Sequence, residues 1–211
     1  MRNESRYINR NNNSKSIRLL VIIPVNPTDG DEGPFPVSPF DRRMLLSTTQ
    51  VDEILCAGGP YSVDGAETKK YVTPLIVDKA IWGESNGYDA IIINCMVDPG
   101  AREAQRQVKI PVVSLGRAAT ALATVIGDHP ARIYPNEIPV NKLADNEELT
   151  LKLLREYANR QIQSRGADVI TLNCGYLGGA AHRLQSEIGV PVIPTIDVGL
   201  RFAEMIALLE I

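Results

Sequence analysis

This chain has little with which to cross-link itself, hold a metal or grip a polyanion: 211 residues include three cysteines, two histidines, one tryptophan and 5% aromatics. Cys56, Cys95 and Cys174 are too few and too far apart for a disulfide framework, and none sits in a Cys-x-x-Cys pair, which fits a reducing cytoplasmic setting. His129 and His182 lack ligand spacing to each other or to any cysteine, so no metal site is expected. The formal net charge is -3 and no block of Lys or Arg stands out. That argues against nucleic acid or an anionic membrane as partner and leaves a small-molecule substrate.

What is present is enough apolar material for a substantial core. With 44% hydrophobic and 22% charged residues, the chain reads as one large domain or two small interlocked lobes. Four short runs, Ile17 to Val25, Ala90 to Asn94, Val112 to Leu115 and Val169 to Leu172, are apolar almost throughout rather than alternating, as strands buried on both faces are. The first could be mistaken for a signal-peptide core, but it is short, meets Pro24 and follows a long Asn/Arg/Ser-rich lead. Helical spacing marks Ala66 to Ser85, Ala101 to Gln107, Arg117 to Ile126, Asn146 to Ser164, Ala180 to Ile188 and Val198 to Leu209. Strands alternating with helices imply βαβ units and parallel pairing, hence an α/β fold.

An internal repeat organises these elements. Gly87-Tyr-Asp-Ala-Ile-Ile-Ile-Asn-Cys95 matches Gly166-Ala-Asp-Val-Ile-Thr-Leu-Asn-Cys174. Each cysteine is followed by a turn, a helix and a Pro-Val pair, Pro111 lying 16 residues after Cys95 and Pro191 lying 17 after Cys174. Two copies are too few for a solenoid. They predict two pseudo-symmetric parallel-sheet lobes, flavodoxin-like halves, with both Cys-bearing strand ends facing one cleft. The expected division is a flexible tail at 1–16, a first lobe at 17–115 completed by the C-terminal helix 196–211, and a second, shortened lobe at 116–195.

Carboxyl ends of parallel strands are where ligands bind in open α/β sheets, so position alone makes Cys95 and Cys174 candidates. After Cys95, Asp98 reads as a helix N-cap and Pro99 as a first-turn residue, placing the positive helix end near the thiol and favouring thiolate. Asp98 as a residue that supports Cys95 from behind the site is the alternative. After Cys174, Gly175-Tyr-Leu-Gly-Gly179 allows close backbone approach to a ligand, but is neither a P-loop nor a dinucleotide fingerprint. No cofactor is expected.

Two thiols on opposite sides of a carbon next to a carbonyl would let one, as thiolate, remove its proton while the other returns a proton to the opposite face, inverting the centre. Backbone N–H groups of Met96, Val97, Gly175 and Tyr176 are the expected donors to the enolate oxygen. Tyr176 either lines the pocket or packs beside it. Cys56 reads as an ordinary core residue.

Asn26-Pro27 after the first strand, Gly59-Pro60 after the second and Cys95-Met-Val-Asp-Pro-Gly100 resemble the hydantoin racemase branch of the aspartate/glutamate/hydantoin racemase superfamily. Asn173-Cys174-Gly175 and Gly189-Val-Pro-Val-Ile193 resemble its second-half motif. The resemblance spans most of residues 17–127 and 137–209. It implies cofactor-independent racemisation of hydantoins, allantoin or acidic amino acids with the two cysteines as bases, Asn26 beside the substrate, and a homo-oligomer. A related decarboxylase or isomerase, or a non-catalytic binding protein of the same fold, are the alternatives.

Two regions depart from that pattern. The resemblance implies a further strand and helix between Ile126 and the segment Ile138-Pro-Val-Asn, whereas Gly127 to Glu137 holds two prolines and no long apolar run. The first strand of the second lobe is therefore expected to be missing, leaving the site incomplete or filled by a neighbouring subunit. Asp29 to Pro39, rich in Pro, Gly and acid, reads as a surface loop.

Overall fold

The computed structural model describes residues 16–26, 40–138, 142–143 and 145–210. The expected tail up to residue 15, the Asp29 to Pro39 loop and the Pro-Val-Asn at 139–141 lie outside the described residues. Seven strands and six α-helices follow one another among those described: β1 (Ile17–Ile23), β2 (Thr49–Leu55), α1 (Ala66–Ser85), β3 (Ala90–Ile93), α2 (Ala101–Gln105), β4 (Val112–Ser114), α3 (Leu115–Ile126), β5 (Pro130–Ile133), α4 (Glu147–Arg165), β6 (Val169–Leu172), α5 (Ala181–Ile188), β7 (Val192–Ile193) and α6 (Thr195–Leu209). No described helix is long and apolar enough to cross a membrane.

The strands form two separate sheets, of order β2-β1-β3-β4 and β5-β6-β7, and every pairing is parallel. Three of the four apolar runs take the central places, β1 between β2 and β3, β3 between β1 and β4, and β6 between β5 and β7, with all four residues of β3 and of β6 buried; the fourth run, β4, is an edge strand. Strands covered on both faces need no polar alternation, which is why these were the easiest to read.

The repeat recurs in the hydrogen bonds that tie each half together. Asp89 accepts the Arg18 N–H at the entry to β1, and Asp168 accepts those of Asp128 and His129 just before β5. The N–H of Asn94 donates to Ile22 O and that of Asn173 to Ile133 O, at 2.9 and 2.8 Å. The Gln105 side chain accepts from Val112 N, and Gln185 from Val192 N, at 2.8 and 2.9 Å. β5, β6 and β7 are thus the counterparts of β1, β3 and β4.

This corrects the expectation that the first strand of the second lobe is missing. β5 is present and pairs with β6 along Pro130 to Ile133. It was illegible because it is an edge strand: only Ile133 is buried, and Pro130 is tolerated because an edge position needs no ladder donor on its free side. The strand without a counterpart among the described residues is β2, so the second sheet has three strands against four.

Two helices join the sheets. α6 packs on β1, β3 and β4 and alongside α3, while α3 touches β4 on one side and β5, β6 and β7 on the other. The α3–α6 approach is close: a side chain at Gly199 would collide with Leu115 Cδ2. The larger core, around β1, β3, α1, α3 and α6, also takes in Val169 and Ile193 from the smaller sheet. A second core around Leu154, Ile170, Leu172 and Leu184 fills the other lobe.

Candidate active site

β3 and β6 each end one residue before an Asn-Cys pair, and their carboxyl ends open on one cavity of about 320 Å³. Cys95, Met96 and Val97 line it from the first lobe, and Cys174, Gly175 and Tyr176 from the second. Six of the seven residues expected in the site therefore meet there. Asn26 is the exception: its neighbour Val25 lines the cavity, while the Asn26 N–H donates to Pro60 O at 3.1 Å.

The turn after Cys95 differs from the expected helix cap. Asp98 has φ of 52°, a left-handed conformation that Asp tolerates better than most residues, and Gly100 takes the N-cap position of α2. The Asp98 carboxylate instead accepts the N–H of Gly116 at 2.8 Å, in the first turn of α3. From β5, Arg132 donates to Gly116 O at 3.0 Å and Met96 O at 3.5 Å, and also bonds Thr120 Oγ1. A residue of the second lobe thus holds the carbonyl beside the first thiol. Behind the other thiol, Thr195 donates to Cys174 O at 3.4 Å.

The thiols are not held as thiolates in the free protein, contrary to the sequence expectation for Cys95. Each keeps some surface open to the cavity, but the surrounding walls strip water from it. Desolvation pushes Cys95 up to about 11, and the nearby Asp98 charge adds to that; the Val97 N–H and Lys69 pull the other way. Desolvation pushes Cys174 up to about 12 against the N–H groups of Tyr176 and Leu177, with Cys95 itself raising it further. The two sulfurs therefore sense each other, and charge on one disfavours charge on the other. The N–H groups of Val97 and Tyr176, expected to serve an enolate oxygen, are directed at the adjacent sulfurs.

Sequence reasoning missed several lining residues. Asn94 and Asn173 occupy the repeat position before each cysteine and could have been found from it. Tyr134 and Asn136 follow the unrecognised β5, and Val63 and Asp64 precede α1, where no pattern marked them. Burial and the Cys174 charge both raise the Tyr134 hydroxyl, which stays protonated and donates to Ile138 O at 3.1 Å. Tyr176 both lines the cavity and packs against the second core. Among the described residues lining the cavity there is no Lys, Arg or His, and Asp64 is the one carboxylate. Cys56 lies outside it, fully buried in the larger core.

Known proteins of similar sequence and similar fold carry racemase names. Residues 46–133 match the Asp/Glu/Hydantoin racemase family, a span that includes Cys95 and ends with β5. The chain is 25% identical to the hydantoin racemase of Pseudomonas sp. (strain NS671), over 78% of this chain and 77% of that one. It is 24% identical to the hydantoin racemase of Paenarthrobacter aurescens, over 92% of both. Its fold resembles that of allantoin racemase from Klebsiella pneumoniae with a TM-score of 0.78, at 20% identity over 93% of this chain and 89% of the other.

Proposed function

We propose that this chain, which matches the Asp/Glu/Hydantoin racemase family over residues 46–133 and is similar to hydantoin racemases, inverts the carbon next to a ring carbonyl in a hydantoin or related cyclic ureide, using Cys95 and Cys174 and no cofactor. The observation that carries the reading is the arrival of two repeat-related thiols at one cavity from opposite lobes.

In the forward direction one sulfur, as thiolate, takes the proton: the C–H bond breaks, an S–H bond forms, and the electron pair moves onto the ring carbonyl oxygen. The other sulfur, still a thiol, gives its proton to the opposite face as that pair returns to carbon. The first sulfur ends as thiol and the second as thiolate, which is the starting arrangement for the reverse reaction. Mutual repulsion favours the singly ionised pair over the doubly ionised one, and that is the state the reaction needs.

The lining favours a neutral ring over an acidic amino acid. Binding the two carboxylates of aspartate or glutamate calls for cationic partners, and none lines the described cavity. Asn136 and Asn173 instead offer both donors and acceptors, which suits the alternating N–H and C=O groups of a ureide. A small-molecule substrate, a homo-oligomeric assembly and a cytoplasmic setting complete the reading.

The test is loss of optical activity for single enantiomers of 5-substituted hydantoins, allantoin, aspartate and glutamate. Racemisation of at least one ring substrate, with no turnover of the free amino acids, is the expected outcome. Turnover of aspartate or glutamate alone would overturn the substrate assignment.

A further inference from the structure

Gly175 follows Cys174 directly, in a turn that continues into a 3-10 helix over Gly175–Ala180. A methyl group built on it would run into the side-chain oxygen of Asn94 and lie 3.0 Å from its carboxamide carbon. Asn94 comes from the opposite lobe, directly precedes Cys95, and is itself 7% exposed. Its carboxamide therefore crosses the cleft and packs against the backbone beside the second thiol. Its backbone N–H, meanwhile, is fixed to Ile22 O at 2.9 Å in the first sheet.

We propose that Asn94 is a positioning residue for Cys174: its carboxamide spans the cleft and sets where the Cys174 turn stands relative to Cys95. The inference rests on the two-thiol reading above. A rigid spacer at this place matters because inversion requires both sulfurs to be within reach of one carbon, on opposite faces, in the same complex. Gly175 is the complementary half of the contact, since any larger residue would take the space the carboxamide uses.

The role has a signature that a loss of folding does not produce. In D2O, a correctly placed Cys95 removes the proton that faces it, its S–H exchanges with solvent, and deuterium returns to the same face. That half-reaction does not need Cys174. With the second thiol out of reach, Asn94→Ala is therefore expected to lower inversion about 100-fold while one substrate enantiomer now exchanges its proton for deuterium with retention, within about tenfold of the rate at which the wild type incorporates deuterium into inverted product.

A second pair of variants separates packing from positioning. Gly175→Ala is expected to lower the melting temperature by its collision with Asn94. Adding Asn94→Ala should recover most of that loss, the remainder reflecting Leu115 Cδ1 at 3.1 Å from the new methyl. Inversion should not recover, because the spacer is gone.

Exchange and inversion falling together in Asn94→Ala, or neither falling, would overturn the positioning role. Recovery of inversion in the double variant would show that only bulk at the contact matters and would overturn it equally. Absence of exchange and inversion in the wild type on every ring substrate is a separate result: it would remove the racemase reading itself, and this inference with it.

Discussion

Serine at position 95 or at position 174 is expected to reduce inversion on the order of 10³-fold, the scale of a positioned acid or base. Serine keeps the shape of cysteine but replaces the thiol by a hydroxyl too weakly acidic to serve as the thiolate base. Both variants should be equally damaged in inversion, since each turnover uses one sulfur as base and the other as acid whichever enantiomer enters. Folding should be little affected, because both residues open onto the cavity. Cys56→Ser is the internal control. It places a hydroxyl in the larger core and is expected to lower stability by roughly 1–3 kcal/mol while kcat stays within about twofold. A chiral assay beside thermal unfolding reads both effects, and survival of inversion in either cleft variant would contradict the mechanism.

The second large effect is on pH. Burial favours the uncharged form of each thiol, so the cleft holds two thiols near neutrality and must lose one proton to work. With the lower of the two at about 11, roughly one molecule in 10⁴ carries the thiolate at pH 7. Raising the pH populates the working form, so kcat/KM on a substrate that does not itself ionise should climb about tenfold per pH unit from about 7 to 10. It should turn over as the pair loses its second proton, near the value of about 12 that Cys174 reaches.

Stability moves the other way. Unfolded thiols ionise near their ordinary value of 9.0, below the folded values, so the unfolded state sheds protons first. The stability associated with the neutral buried thiols is complete below pH 9 and diminishes as pH rises towards 11 and 12, so the profile should be taken below pH 10. A flat profile between 7 and 10 would contradict the ionisation of a buried thiol as the activating step.

How much of this was legible depended on how each part announces itself. β1, β3 and β6 were readable because strands covered on both faces are apolar throughout. β5 was not, because at the edge of a sheet a strand can carry proline and arginine and still pair. Its loss concealed Arg132, which reaches the loop of the first thiol, and Tyr134, which lines the cavity. The two cysteines were legible from the repeat, and Asn94 and Asn173 were equally available from it. Asp98 reads as a cap of α2, but a short polar residue before a helix has more than one use. Here the chain turns left-handed at Asp98, and its carboxylate caps α3 rather than α2. The state of the thiols was beyond sequence, since desolvation comes from residues distant in the chain. So was the contact between Asn94 and Gly175, which needs the two lobes assembled.

The central claim is that two thiols face one carbon from opposite sides, and deuterium labelling during a single inversion in D2O tests it most directly. Product formed in the first turnover should carry one solvent deuterium at the inverted carbon, while unreacted substrate of the starting configuration stays largely unlabelled, because the returning proton comes from the opposite sulfur. Inverted product that keeps the original hydrogen, or label that appears equally in substrate and product from the first turnover, would contradict the two-thiol account and point to a single base serving both faces.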